Sequence, residues 1–121
     1  MTVLCATDLS DHAGAATRAA AAIAKRMGSP LKLLHVIDEI GAEKDFESAT
    51  AYEHVHARVA NEAATMAKAF DIDVEGIVTP GFADETVVAV ADDLKASLVV
   101  VGSLGRRKQH RWLVGSVAER V

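Results

Sequence analysis

A pair of glycines and a Gly-Ser pair near the carboxyl end and one aspartate near the amino end are the residues of this chain best suited to chemistry. Gly102-Ser103-Leu104-Gly105 follows directly on the apolar run Leu98-Val99-Val100-Val101, and after nine further residues comes Gly115-Ser116. Glycine has no Cβ to hold a ligand away from the backbone, and free amides at a helix N-terminus attract anions. That combination lets a backbone approach a phosphate chain, although glycines at strand ends also serve simply as turns. The dipole and open amides at Gly115-Ser116 favour an anion by roughly 0.3–1 kcal/mol, so several such contacts must add to hold a polyphosphate. Asp8, within Ala6-Thr7-Asp8-Leu9-Ser10, offers a carboxylate that accepts hydrogen bonds from a ribose or a base. Between Gly105 and Gly115 stand Arg106, Arg107, Lys108, His110 and Arg111. They could neutralise outer phosphates, close over them as a flap, or form a solvated loop. Trp112, Leu113 and Val114 read as an anchor to the body or to a partner subunit.

Other chemistries find less support. A dinucleotide fingerprint needs its glycines after the first strand, where this chain has none, and the loop from Gly102 lacks the Gly-Lys-Ser/Thr ending of a P-loop. His54 and His56 are two residues apart, about 200° around a helix, which disfavours a shared metal. His54 is expected in solvent, His56 at the margin of the core, and His35 as a packed or hydrogen-bonded residue of the second strand. Ser10 fits a helix N-cap, and no nucleophile triad can be built on it. Cys5 is the only cysteine, so no internal disulfide forms; it reads as a small core residue. No catalytic residue and no metal site is assigned.

These residues need elements to position them, and the apolar period alternates along the chain. Val3 to Thr7 reads as a buried strand. Ser10 to Met27 reads as a helix with Ala13, Ala16, Ala20, Ile23, Ala24 and Met27 on one side, stopped by Gly28. Leu31 to Ile37 is strand-like, and Asp38 to Lys44 a polar connection. A long helix is expected within Asp45 to Phe70, its inner face carrying Ala49, Tyr52, His56, Val59, Ala63, Met66 and Phe70. Ile72 to Thr79 gives a third strand, Thr79-Pro80-Gly81 a turn, and Ala83 to Lys95 a helix with Val87, Val90, Ala91 and Leu94 inward. Ser97 to Val101 is the fourth strand, and a last helix is expected to start near Gly115.

Strands alternating with helices predict an α/β fold, an open parallel sheet with helices on both faces. Right-handed crossovers put every strand's carboxyl end on one edge, where ligands bind if the strand order reverses. If strands one and four are neighbours there, Asp8 faces the glycine loop across a crevice.

At 121 residues the chain makes one domain, and its formal net charge of -4 argues against nonspecific nucleic-acid binding. No apolar run approaches the ~20 residues of a membrane span, so no membrane partner is expected and the cytoplasm is the default location.

Three segments in register, Thr7-Asp8-Leu9-Ser10, Leu34-His35-Val36-Ile37-Asp38 and the Gly102-x2-Gly105-x9-Gly115-Ser116 pattern, resemble the ATP-binding subset of the universal stress proteins. The resemblance spans the whole chain. It implies a Rossmann-like sheet of order 3-2-1-4-5, usually dimeric, with ATP, with or without Mg2+, in the crevice. By that resemblance Ala6, Asp8 and Val36 line the nucleoside end. Gly102 and Gly105 admit the phosphates, while Gly115, Ser116 and Val117 bind them. The family continues into a fifth strand, missing after Val121, so the expected order is 3-2-1-4 and the domain, residues 1–121, reads as C-terminally truncated. A homodimer or an edge-pairing partner is then expected.

The reading that follows is a regulatory, non-enzymatic domain in which nucleotide occupancy orders residues 102–115. The alternative is a dimeric protein-interaction module with a vestigial nucleotide site. A nucleotidyl-transferring enzyme lacks support, since neither a Ser-Gly-Gly loop nor a His-x-Gly-His motif is present.

Overall fold

The computed structural model describes residues 1–38 and 49–102. Along them the order is β1 (Val3–Ala6), α1 (Asp11–Met27), β2 (Leu31–Asp38), α2 (Ala49–Phe70), β3 (Val74–Gly81), α3 (Ala83–Leu94) and β4 (Leu98–Val101). The four strands form one parallel sheet of order β3-β2-β1-β4. Parallel neighbours cannot be joined by a tight hairpin, so helices make the crossovers and cover both faces of the sheet.

Side-chain alternation along the strands sorts the core into two layers. Val3, Cys5, Leu31 and Leu33 point to one face, against Ala20, Ala21 and Ala24 of α1 and Val59, Ala63 and Met66 of α2. Leu4 and Leu34 point to the other, where Val87 of α3 packs with half-buried Val90, Ala91 and Leu94. Each fully buried leucine contributes about 1.5–3 kcal/mol. Alanines on α1 bring that helix close to the strands. Gly76 does the same for α2, because a Cβ there would stand 2.8 Å from Val59 Cγ1.

The inner faces of two helices differ from the sequence expectation. On α1 the buried set is Ala13, Thr17, Ala20, Ala21 and Ala24, while Ile23 is 36% exposed. Thr17 tolerates burial because its hydroxyl donates to the Ala13 carbonyl one turn back, at 3.0 Å. On α2 His56, expected on the inner face, is exposed, its ring tilted against that of Tyr52 with centroids 4.5 Å apart, while Val55 beside it is half-buried.

Three helices end alike among the described residues. Gly28 and Lys95 adopt left-handed backbone after α1 and α3, and Asp71 does so after α2. The amides of Ser29, Ile72 and Ala96 bond back to the carbonyls of Ala24, Ala67 and Ala91, the Schellman arrangement. Ile72 therefore closes a helix rather than opening a strand, and β3 begins at Val74. At its other end β3 runs through Pro80 and Gly81, paired with Ile37 and Asp38 of β2, where the sequence suggested a turn. Proline cannot donate to a ladder, but β3 is an edge strand of the described sheet, and there it is tolerated.

Candidate functional site

β1 and β4 lie side by side, and their last register pair is Ala6 with Val101. Asp8 and Gly102 therefore leave neighbouring strands at the same carboxyl edge. On one side of β1 the order runs through β2 to β3, on the other it steps to β4, so this is the place where the strand order reverses. Helix α1 leaves β1 on one face of the sheet, and α3 precedes β4 on the other. The expected meeting of strands one and four is present.

The turn from β1 into α1 is held by local bonds. Thr7 extends the sheet pairing with its amide on the Leu34 carbonyl at 2.8 Å, and its side-chain oxygen accepts the Leu9 amide at 3.0 Å. Asp8 Oδ1 accepts the Ser10 amide at 2.9 Å. Ser10 caps α1, its Oγ accepting the Ala13 amide at 3.3 Å, as the sequence suggested. Asp8 itself is half-buried.

Two contacts reach the turn from other elements. His35 Nδ1 lies 2.9 Å from the Thr7 carbonyl. A carbonyl can only accept, so Nδ1 carries the proton and donates, which makes His35 a hydrogen-bonded strand residue. From α2, Arg58 Nη2 donates to the Leu9 carbonyl at 2.8 Å. Sequence reasoning missed Arg58: nothing in its spacing distinguishes it from the other charged residues on the outer side of that helix.

Ala6 and Val36 are both half-buried and share the α3 face of the sheet with Val101. Gly102 follows Val101 and is also half-buried. Ala6, Asp8, Val36 and Gly102 thus gather at one edge, two of them apolar, one acidic and one without a side chain. Gly105, Gly115, Ser116 and Val117 lie outside the described residues, as does the basic segment from Arg106 to Arg111.

At the far side of the edge, Gly81 has φ 145, a backbone that side chains rarely adopt, and a Cβ there would run into Thr86 Oγ1 of α3. The β3–α3 connection therefore packs tightly beside the end of β2. A shallow open depression lined by Arg58, Asn61, Glu62, Thr65 and Met66 lies along α2 and includes none of the four gathered residues. Among the described residues no group of three or more His, Cys, Asp or Glu is placed to hold a metal, and no helix is long and apolar enough to cross a membrane.

Comparison with known proteins gives one consistent picture. The model of the universal stress protein family matches residues 1–121. Universal stress protein UspA from Lactobacillus plantarum is 23% identical, with a TM-score of 0.80 over 100% of this chain and 89% of its own. A universal stress protein in complex with cAMP is 28% identical, with a TM-score of 0.72, covering 100% of this chain and 87% of its own. The universal stress protein from Archaeoglobus fulgidus in complex with dAMP is 22% identical, with a TM-score of 0.73 over 100% and 88% of the two chains. The first and third bear on the fold alone. No curated protein matches.

Proposed function

The chain belongs to the universal stress protein family, and from that premise we propose that it is a regulatory domain binding ATP in the crevice between β1 and β4. Nucleotide occupancy orders residues 102–115 and so changes a surface offered to partners. The observation that carries this reading is the emergence of Asp8 and Gly102 from adjacent strands at the reversal of strand order. The relative in complex with cAMP lends support on the ligand side.

The described residues fit an adenine nucleotide. Half-buried Ala6 and Val36 offer apolar surface for a base. Asp8 keeps one carboxylate oxygen on Ser10 while, among the described residues, none bonds the other, which leaves an acceptor for a ribose hydroxyl. Gly102 lets the backbone approach the phosphates without a Cβ. In this reading Gly105, Gly115, Ser116 and Val117 supply the phosphate end, with or without Mg2+. Bound ATP contributes a charged polyphosphate whose outer groups read the loop. Domains of this family are typically regulatory modules rather than catalysts. A homodimer or an edge-pairing partner, and a cytoplasmic location, belong to the same proposal.

Calorimetric titration with ATP and with adenosine tests it. ATP binds in the micromolar range or tighter, and adenosine at least tenfold more weakly, because a site that reads phosphates separates the two. Asp8→Ala removes a charged acceptor worth about 1.5–3 kcal/mol and weakens ATP roughly 10- to 100-fold; Gly115→Val weakens it comparably. Absence of ATP binding, or an affinity unchanged from the parent protein in both variants, refutes the site.

A further inference from the structure

We infer that Arg58 is a positioning residue for Asp8, acting from α2 through the peptide group between Leu9 and Ser10. Three non-glycine residues have positive φ among the described residues: Leu9, Asp71 and Lys95. The last two close helices, where such a backbone is ordinary. Leu9, with φ 64, stands instead in the turn that carries Asp8. A branched residue in this region persists only where its surroundings over-determine it.

Those surroundings act on one planar unit. The carbonyl of the Leu9–Ser10 peptide accepts from Arg58 Nη2 at 2.8 Å, and the amide of the same peptide donates to Asp8 Oδ1 at 2.9 Å. A trans peptide is rigid, so holding its carbonyl aims its amide. The guanidinium charge also polarises the group, strengthening the bond that the amide makes. Arg58 thus orients the Asp8 carboxylate without touching it. His35 steadies the Thr7–Asp8 peptide through its carbonyl, and half-packed Leu9 anchors the turn to the first core layer. Arg58 sits beside Val59, the residue by which α2 seats against Gly76, so its reach is set by the core. The binding consequence rests on the proposed role of Asp8; the conformational one does not.

Two measurements keep these apart. In ATP titrations Arg58→Ala weakens binding about 3- to 10-fold, Arg58→Lys restores part of the loss, and Arg58→Ala costs nothing further in an Asp8→Ala background. A loss of equal size in that background means that Arg58 touches the ligand itself, and overturns the inference. By NMR hydrogen exchange, the Ser10 amide of Arg58→Ala exchanges about tenfold faster than in the parent protein, while amides in the middle of α1 are unchanged. If the parent protein binds no ATP, the proposed function falls and exchange at Ser10 alone decides: unchanged protection overturns the positioning role.

Discussion

Replacing Gly76 by alanine destabilises the protein by about 1–2 kcal/mol, although glycine in a strand is ordinarily a weakness. The new Cβ stands 2.8 Å from Val59 Cγ1, short of the roughly 3.5–4.0 Å at which carbon atoms pack. Val59 is 1% exposed and has no free side on which to yield. In a helix a valine has one strongly preferred χ1, so turning it away costs about 0.5–1.5 kcal/mol, and lifting α2 breaks contacts across the layer. Overpacking of this kind costs roughly 1–3 kcal/mol, offset by about 0.4–1 kcal/mol from the reduced freedom of the unfolded chain. The backbone of Val59 is not the obstacle, its carbonyl oxygen and carbon lying at 3.5 and 3.6 Å from the same position. Val59→Ala removes the clash. That change alone costs about 2 kcal/mol in lost burial, but within it Gly76→Ala becomes neutral or stabilising by up to about 1 kcal/mol. The coupling between the two sites is then about 2 kcal/mol. Urea unfolding followed by circular dichroism, with unchanged slope across the four proteins, reads it directly. An equal cost of Gly76→Ala in both backgrounds, or a gain in the parent protein, refutes the close-approach argument.

The Cys5 thiol gives a pH prediction. Burial pushes it from 9.0 up to about 11, against a smaller lowering by the Thr17 hydroxyl and with a small raise from Glu62. The unfolded thiol ionises first, so its contribution to stability is complete below pH 9 and is lost as pH climbs to about 11, by roughly 2–3 kcal/mol. Unfolding of the parent protein and of Cys5→Ala at several pH values isolates that difference; parallel pH profiles contradict it. Lys95 closes α3 with φ 51, and Lys95→Gly removes the steric cost of that backbone. It stabilises by about 0.5–1 kcal/mol and raises Tm by roughly 2–4 °C, read by calorimetry; a lowered Tm contradicts it.

How much was legible in the sequence follows from what generates each signal. Strand and helix periods reflect burial on a repeating geometry, so β1, β2, β4 and α3 were readable to within a residue or two. Apolarity alone missed Thr17 and misplaced Ile23, because a hydroxyl satisfied one turn back can be buried and an isoleucine can sit at the rim of a face. Pro80 and Gly81 carry strong turn propensity, which the edge position of β3 overrides. Asp8 and Gly102 were brought to one edge by their place after strands, a consequence of parallel topology, whereas Val36, inside β2, was singled out by the family resemblance. Arg58 was not, since its contact depends on how α2 leans across the β1–α1 turn, and that geometry is tertiary.

The pairing of β1 with β4 has a kinetic consequence. It joins the first strand to the last described one, so it closes the longest loop in the sheet and is the costliest pairing to reach in time. Strands β1, β2 and β3 can associate as soon as each crossover helix is made, but the place where Asp8 and Gly102 meet exists only after β4 returns to pair with β1. A molecule lodged between them would act as a clasp on the final joint, slowing its opening more than that of any other pair of strands. Occupancy of the crevice would then report a fully assembled four-stranded sheet.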